Sequence, residues 1–235
     1  MKFADLFSKK ETLWSSLLWQ GQTDFHSHIL PGVDDGVQTM EESLKILKRY
    51  DEWGVKDVWC TPHIMEDMPN RTEDLRRRFE ELQNSFKGKL QLHLSAENMM
   101  DALFLERLSK KDFLPMAERG DMLLVETSYY NPPAGFEILL KNVQSAGFHP
   151  LLAHPERYMY MDEENYEKLK DMGVRFQLNV GSLIGLYGET ARKKAEKLLK
   201  KGMYDKFGSD IHRFRMMENP ATVKEKLLRQ VCSIV

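Results

Sequence analysis

Residues 23–36, TDFHSHILPGVDDG, place two histidines and three aspartates in one short segment bounded by Pro31, Gly32 and Gly36. Such a run is costly to bury unless positive charge is buried with it. Similar residues recur after later apolar runs: His63 in CTPH, Glu97 in LSAE, Glu126 in LLVETSYY, His154 in LLAHPERY, and Asp210 with His212 in FGSDIH. Neutral imidazoles and carboxylates without thiolates suit Mn, Fe or Zn at about 2 Å, and so many donors point to more than one ion. His26 and His28, one residue apart on an extended strand end, face the same way and can share an ion. Asp34 and Asp35 lie in a Pro/Gly-bounded loop able to fold back over it. A bridging carboxylate such as Glu97 or Asp210 would hold neighbouring ions about 3.5–4 Å apart. Singly, each residue has an ordinary explanation as a core histidine, a helix start or a lysine partner. Jointly, ligand-type residues at six strand ends form a coincidence too large for that. His93 and His149 lie at or before strand starts and read as structural.

The elements that must position these residues alternate between short apolar runs and longer segments of helical period, predicting a mainly parallel α/β fold. Strands are expected at Thr23–Phe25, Asp57–Thr61, Leu90–Ala96, Met122–Glu126, Pro150–Ala153, Arg175–Asn179 and Lys206–Gly208. Thr39 is expected to cap a helix with Glu42 bonding back, placing Met40, Leu44 and Leu47 on one face before Gly54 ends it. Residues 71–87, 132–147, 162–172 and 189–202 also read as helices, and residues 1–21 as a helical extension of a single 1–235 domain. Seven strand–helix units favour a barrel, in which the carboxyl ends of the strands converge on one catalytic face.

Composition restricts the partners. The 34 basic and 36 acidic residues nearly balance, and the three arginines of RTEDLRRRFEEL are interleaved with acids on a solvated helix face, so no nucleic-acid groove is expected. The absence of 18 consecutive apolar residues predicts no membrane insertion, and no signal peptide is read at the N-terminus. Cys60 and Cys232 are too few for a disulfide framework and fit a reducing compartment, the cytoplasm.

DFHSHILPGVDDG, TPHI, AENMMD, LLVETSYYN, LAHPERY and GSDIH together resemble the polymerase and histidinol phosphatase (PHP) superfamily. Within it they look most like the bacterial manganese-dependent tyrosine phosphatases of capsular and exopolysaccharide synthesis, over residues 22–215. The resemblance implies a distorted (β/α)7 TIM-like barrel, the PHP fold, holding up to three ions, with Mn expected and Fe, Zn or Mg as alternatives. It puts His26, His28, Glu97 and Asp210 on one ion, Asp35, His63 and His212 on a second, and Glu97, Glu126 and His154 on a third. Arg157 matches the family's phosphate-binding arginine, and Asp34 falls just behind the ligands. A second family arginine past the SDxH motif has no unique counterpart, since Arg213 and Arg215 both lie close and Met217 intervenes. AENMMD also lacks an arginine that many relatives carry shortly after the glutamate.

A phosphocysteine route needs an arginine six residues after the thiolate; Glu66 stands there for Cys60, and Cys232 is too near the end. Water activated by the metals is then the nucleophile, with Arg157 gripping phosphate and Asp34 as the candidate proton donor. The expected substrate is a phosphotyrosine protein, the tail of a bacterial tyrosine kinase, with Tyr129, Tyr130, Tyr158 and Phe214 as candidate site linings. The alternatives are a small-molecule phosphomonoesterase of the histidinol-phosphatase type and a noncatalytic metal-binding regulator. Missing ligands would mark the second, and none is missing.

Overall fold

Strands buried on both faces need near-continuous apolar sequence, and MLLVE at 122–126 is buried at every position. The computed structural model describes residues 10–116 and 120–234. Its central strands are β2 (Thr23–Ser27), β3 (Asp57–Cys60), β4 (His63–Ile64), β5 (Gln91–Leu94), β6 (Glu97–Met99), β7 (Met122–Glu126), β8 (His149–Ala153), β9 (Arg175–Asn179) and β10 (Lys206–Gly208). They form a six-stranded sheet ordered β10-β9-β8-β7-β6-β4 and a three-stranded sheet ordered β2-β3-β5, parallel throughout. The result is a mixed α/β fold with a curled parallel sheet, consistent with the TIM-like kind.

Two expected strands are each followed, after a short break, by a further short strand that was not expected. The stretch 57–61 stops at Cys60 and resumes at His63, and 90–96 breaks between Leu94 and Glu97. Pro62 has no N–H to contribute to a ladder, yet its carbonyl accepts from Glu97 N at 3.0 Å and so carries the pairing across both breaks. At the other edges the sheets meet through Asp210 N to His26 O (2.8 Å) and His28 N to Ile211 O (3.0 Å). That approach needs Gly208, because a Cβ there would sit 2.4 Å from His26 Cβ.

Helices α2 (Met40–Trp53), α3 (Thr72–Ser85), α4 (Ala102–Lys110), α5 (Phe136–Ser145), α6 (Glu163–Asp171) and α7 (Glu189–Lys200) occupy the connections. In α2, Ser43, Ile46, Leu47 and Tyr50 are buried at helical spacing, and Gly54 closes it with φ 75°. Thr39 caps Glu42 N at 3.2 Å, but the expected return bond does not form: the Glu42 carboxylate accepts from Phe214 N at 2.8 Å. The cap thus ties α2 to the segment after His212. The sequence reading missed α4, which Asp101 caps by accepting from Phe104 N at 2.9 Å.

The expected N-terminal helix is corrected. Lys10–Thr12 is a strand, β1, paired antiparallel with β11 (Thr222–Lys224), which leads into α8 (Glu225–Cys232). Among the described residues of that segment, helix survives only as α1 (Ser16–Trp19). The apolar residues that gave the segment its amphipathic look are used for packing instead: Trp19 is fully buried, its ring 5.3 Å from Tyr50 and 5.8 Å from Phe207. Residues 1–9 of the expected extension lie outside the described residues. No helix of the described residues is long and apolar enough to cross a membrane.

Candidate metal centre

The carboxyl ends of the curled sheet bring the predicted donors to one place. His26 is the last residue but one of β2 and His28 follows the strand, His63 opens β4, Glu97 opens β6, and Glu126 ends β7. His154 and Asp210 follow β8 and β10 with φ of 35° and 52°, two of the three non-glycine positive-φ residues described. Such backbone strain gathers where surrounding structure over-determines a functional geometry. Here it turns both side chains back into the cluster.

Glu97 is the hub. Its Oε2 lies 3.2 Å from His26 Nε2, His28 Nε2 and His63 Nδ1, and its Oε1 lies 2.9 Å from His154 Nε2. Asp210 Oδ1 stands 3.5 Å from His26 Nε2 and 3.3 Å from His28 Nε2, which are themselves 3.0 Å apart. Donors around a tetrahedral ion with bonds of about 2.1 Å are separated by about 3.4 Å, so these spacings match edges of a coordination shell. His63 Nδ1 and Glu126 Oε1 lie 3.1 Å apart, yet both are buried without a hydrogen-bond partner among the described residues. Buried donors left in this state cost stability unless a cation takes the place between them. Asp35, the one exposed member, puts Oδ1 3.5 Å from both His63 Nε2 and His212 Nε2.

Three groupings have donor atoms within 4.8 Å of one another: His28, Asp35, His63 and His212; His26, His28 and Asp210; and His63, Glu97 and Glu126. The resemblance had divided the same residues differently. In the structure His28 and His63 each serve two groupings, and His154 approaches the third through Glu97, with Glu126 Oε2 at 3.8 Å.

Electrostatics follows from shared burial. Burial alone would lower His26, but the Glu97 and Asp210 carboxylates outweigh it and lift the imidazole to about 9. His154 moves the other way, to about 4, through burial and the nearby Arg157 charge. Against their own burial, the imidazoles hold Glu97 and Asp210 well below the usual carboxylate range. Burial and the Glu97 charge push Glu126 up.

Asp34 stands behind the donors with its side chain fully covered. Its Oδ2 accepts from His28 Nδ1 at 2.8 Å and from His63 N at 3.1 Å, and its Oδ1 accepts from Gly36 N at 2.9 Å. A carboxylate holding the far nitrogen of an imidazole fixes its tautomer and aims Nε2 at a metal. Gln177, which sequence reasoning missed, does the same for His26, its Oε1 3.0 Å from Nδ1. The signal was present in RFQLN, where Gln177 and Asn179 alternate as buried polar residues within a central strand.

Arg157 Nη1 donates to Asp210 Oδ2 at 2.7 Å, and its guanidinium is sandwiched between Tyr129 (4.5 Å) and Tyr187 (3.9 Å). Asn179 Nδ2 (2.6 Å) and Tyr187 OH (3.3 Å) donate to the same Oδ2. Arg213 Nη1 donates to the carbonyls of Gly36 and His212, stapling the Asp35 loop to the strand end beneath it. Arg215 is exposed in the short turn after it.

Of the expected linings, only Tyr129 packs on Arg157. Tyr158 is fully buried, Tyr130 is largely exposed, and Phe214 is buried with Lys45 Nζ 3.7 Å above its ring, facing α2. His93 bonds Asp57 at 2.8 Å and stacks on Trp59, and His149 is exposed beside Asp121; neither touches the cluster.

A family model described as "Capsular polysaccharide synthesis, CpsB/CapC" matches residues 22–228. The tyrosine-protein phosphatase CpsB of Streptococcus pneumoniae is 29% identical over 200 residues, covering 80% of this chain and 82% of that protein. CpsB of Streptococcus agalactiae serotype V is 27% identical over 208 residues, with the same two coverages. A solved structure described as YwqE from Bacillus subtilis and CpsB from S. pneumoniae, "unique metal-dependent tyrosine phosphatases", superposes with a TM-score of 0.71 at 21% identity, covering 89% of this chain and 85% of that one. With the nine expected donor residues gathered around the strand ends and the family model spanning most of the sequence, the chain belongs to the CpsB/CapC family of capsular polysaccharide synthesis.

Proposed function

We propose that this chain is a metal-dependent phosphatase that hydrolyses phosphotyrosine in a protein, the tail of a bacterial tyrosine kinase acting in the cytoplasm. The observation that carries the reading is the convergence of His26, His28, Glu97 and Asp210 at coordination-shell spacing, in a chain whose named relatives are tyrosine-protein phosphatases. On this reading the two sheets are one distorted (β/α)7 barrel, in which β3 with β4 and β5 with β6 each count as one strand. His26, His28, Asp35, His63, Glu97, Glu126, His154, Asp210 and His212 would hold up to three ions, Mn foremost, with Fe, Zn or Mg able to occupy N/O sites of this kind. Bound ions would supply Lewis-acid stabilisation of phosphoryl charge and make water a competent nucleophile near neutral pH.

The protein's own part is orientation. Asp34 and Gln177 hold His28 and His26 in the tautomers that present Nε2. Asp34 accepts three hydrogen bonds and donates none, so its work is positioning rather than protonation of the leaving group. A phenolate leaving group, with pKa near 10, makes little demand on an acid. Arg157, always charged, meets the phosphoryl oxygens with the donors that Asp210 leaves free. Cys60 takes no part: burial pushes its thiol far up, so no thiolate forms.

The test is hydrolysis of a phosphotyrosine peptide by metal-stripped protein with and without Mn²⁺, beside a phosphoserine peptide and an alkyl phosphate. Mn-restored activity selective for phosphotyrosine is expected. Turnover of the alkyl phosphate alone would assign the chain to small-molecule phosphate hydrolysis.

A further inference from the structure

Six large apolar side chains are conspicuously exposed among the described residues, and Tyr130 (68%), Ile138 (66%), Met159 (68%) and Leu186 belong to segments that adjoin Arg157 and Tyr129. Scattered exposed apolar residues need no explanation; a concentration beside a reactive site does. The segments are physically joined: Met159 N donates to Tyr129 O at 2.7 Å, Tyr129 and Tyr158 stack at 6.0 Å, and Tyr158 stacks on Tyr160 at 5.7 Å.

Two clefts open along this rim. One, of about 370 Å³, is lined by Arg157, Met159, Met161 and Tyr187, and so shares with the metal centre the residue whose guanidinium holds Asp210. The other, of about 410 Å³, is lined by Pro133, Phe136, Ile138, Tyr160 and Met161. Met161 lines both, so the clefts are neighbours in a broken track along this rim. Its lysines are already engaged: Lys194 donates to the carbonyls of Tyr158 and Met161 at 2.7 Å, and Lys168 pairs with Glu137 at 2.5 Å. Beyond Arg157, the buried Glu156 and the paired Glu137 and Glu189, the track offers mainly apolar wall.

We propose that this track is the docking surface for the peptide flanking the phosphotyrosine, and that it selects apolar flanking side chains, a near one seated against Met159 and a farther one against Ile138. The inference rests on the phosphatase reading and deepens it. A phosphate held beside Arg157 projects its leaving group into the near cleft, and only an extended chain reaches the far one. A small alkyl phosphate would leave both clefts empty.

The experiment is steady-state kinetics of the Mn-loaded full chain on p-nitrophenyl phosphate and on two phosphotyrosine peptides, one with leucine and the other with glutamate at the flanking positions. Wild type is compared with Met159→Glu and Ile138→Glu, whose exposed positions leave folding intact. Burial of one apolar anchor corresponds to about tenfold or more in affinity. The expected result is a KM for the leucine peptide raised about tenfold or more in either variant, a wild-type preference for that peptide, and p-nitrophenyl phosphate turnover unchanged within about twofold in Ile138→Glu. Equal kinetics of variants and wild type on both peptides would overturn the docking surface while leaving the phosphatase reading intact. A wild-type protein inactive on all three substrates would overturn that reading and the docking surface with it.

Discussion

Replacing Asp34 by asparagine tests how the metal centre is organised. The carboxylate satisfies three donors with two oxygens: His28 Nδ1–H and His63 N–H on Oδ2, and Gly36 N–H on Oδ1. An amide has only one oxygen. Turned toward His28, it leaves an NH2 opposing the Gly36 N–H, an unpaired donor costing about 1–3 kcal/mol. Turned the other way, the NH2 faces His28 Nδ1 and forces the proton onto Nε2, the nitrogen that must be free to ligate. Either way the metal pays. Loss of such a supporting partner lowers metal affinity by about 10–100-fold, or about 1.4–2.8 kcal/mol. Calorimetric titration of stripped Asp34→Asn protein with Mn²⁺ should show that weakening, and activity should recover toward wild type at saturating metal. Unchanged metal affinity, with a depressed kcat and a displaced limb of the pH–rate profile at saturating Mn²⁺, would refute the reasoning and make Asp34 the proton donor.

Glu97→Gln removes the carboxylate within 3.2 Å of all four buried imidazoles, so metal content by elemental analysis and phosphatase activity should fall together, beyond the Asp34→Asn effect. Arg213→Met should free the Asp35 loop and lower metal occupancy while KM at saturating Mn²⁺ stays near wild type; a raised KM with full occupancy would make Arg213 a phosphate ligand instead. Chelation should lower the melting temperature and Mn²⁺ should restore it, because an ion at 100 times its Kd stabilises the native state by about 2.7 kcal/mol. A melting temperature indifferent to metal would mean that the buried donors are compensated without it. Cys60→Ala should retain wild-type kcat, since its buried thiol is far from forming a thiolate; lost chemistry in a folded variant would revive a cysteine route.

The residues that cluster in this way, proposed as metal donors, were legible in the sequence because strand ends are local features: an apolar run followed by His, Glu or Asp marks its own boundary, and alternation along an extended chain places His26 beside His28. The same local logic located α2, α3, α5, α6 and α7 to within a few residues. It failed at Lys10–Thr12, where pairing with Thr222–Lys224 overrides a helical pattern, and at Glu42, whose carboxylate prefers Phe214 N to its own helix cap. How the donors are shared was decided by tertiary structure alone. Curling of the sheet carries Asp210 against His26 across a gap only Gly208 permits, and left-handed backbone at His154 and Asp210 turns their side chains inward. Arg157 bound to Asp210, and Arg213 bound to two carbonyls, are likewise contacts between segments distant in sequence. Residue spacing fixes which side of a strand a group faces; only the closing of one strand on another fixes what that group meets.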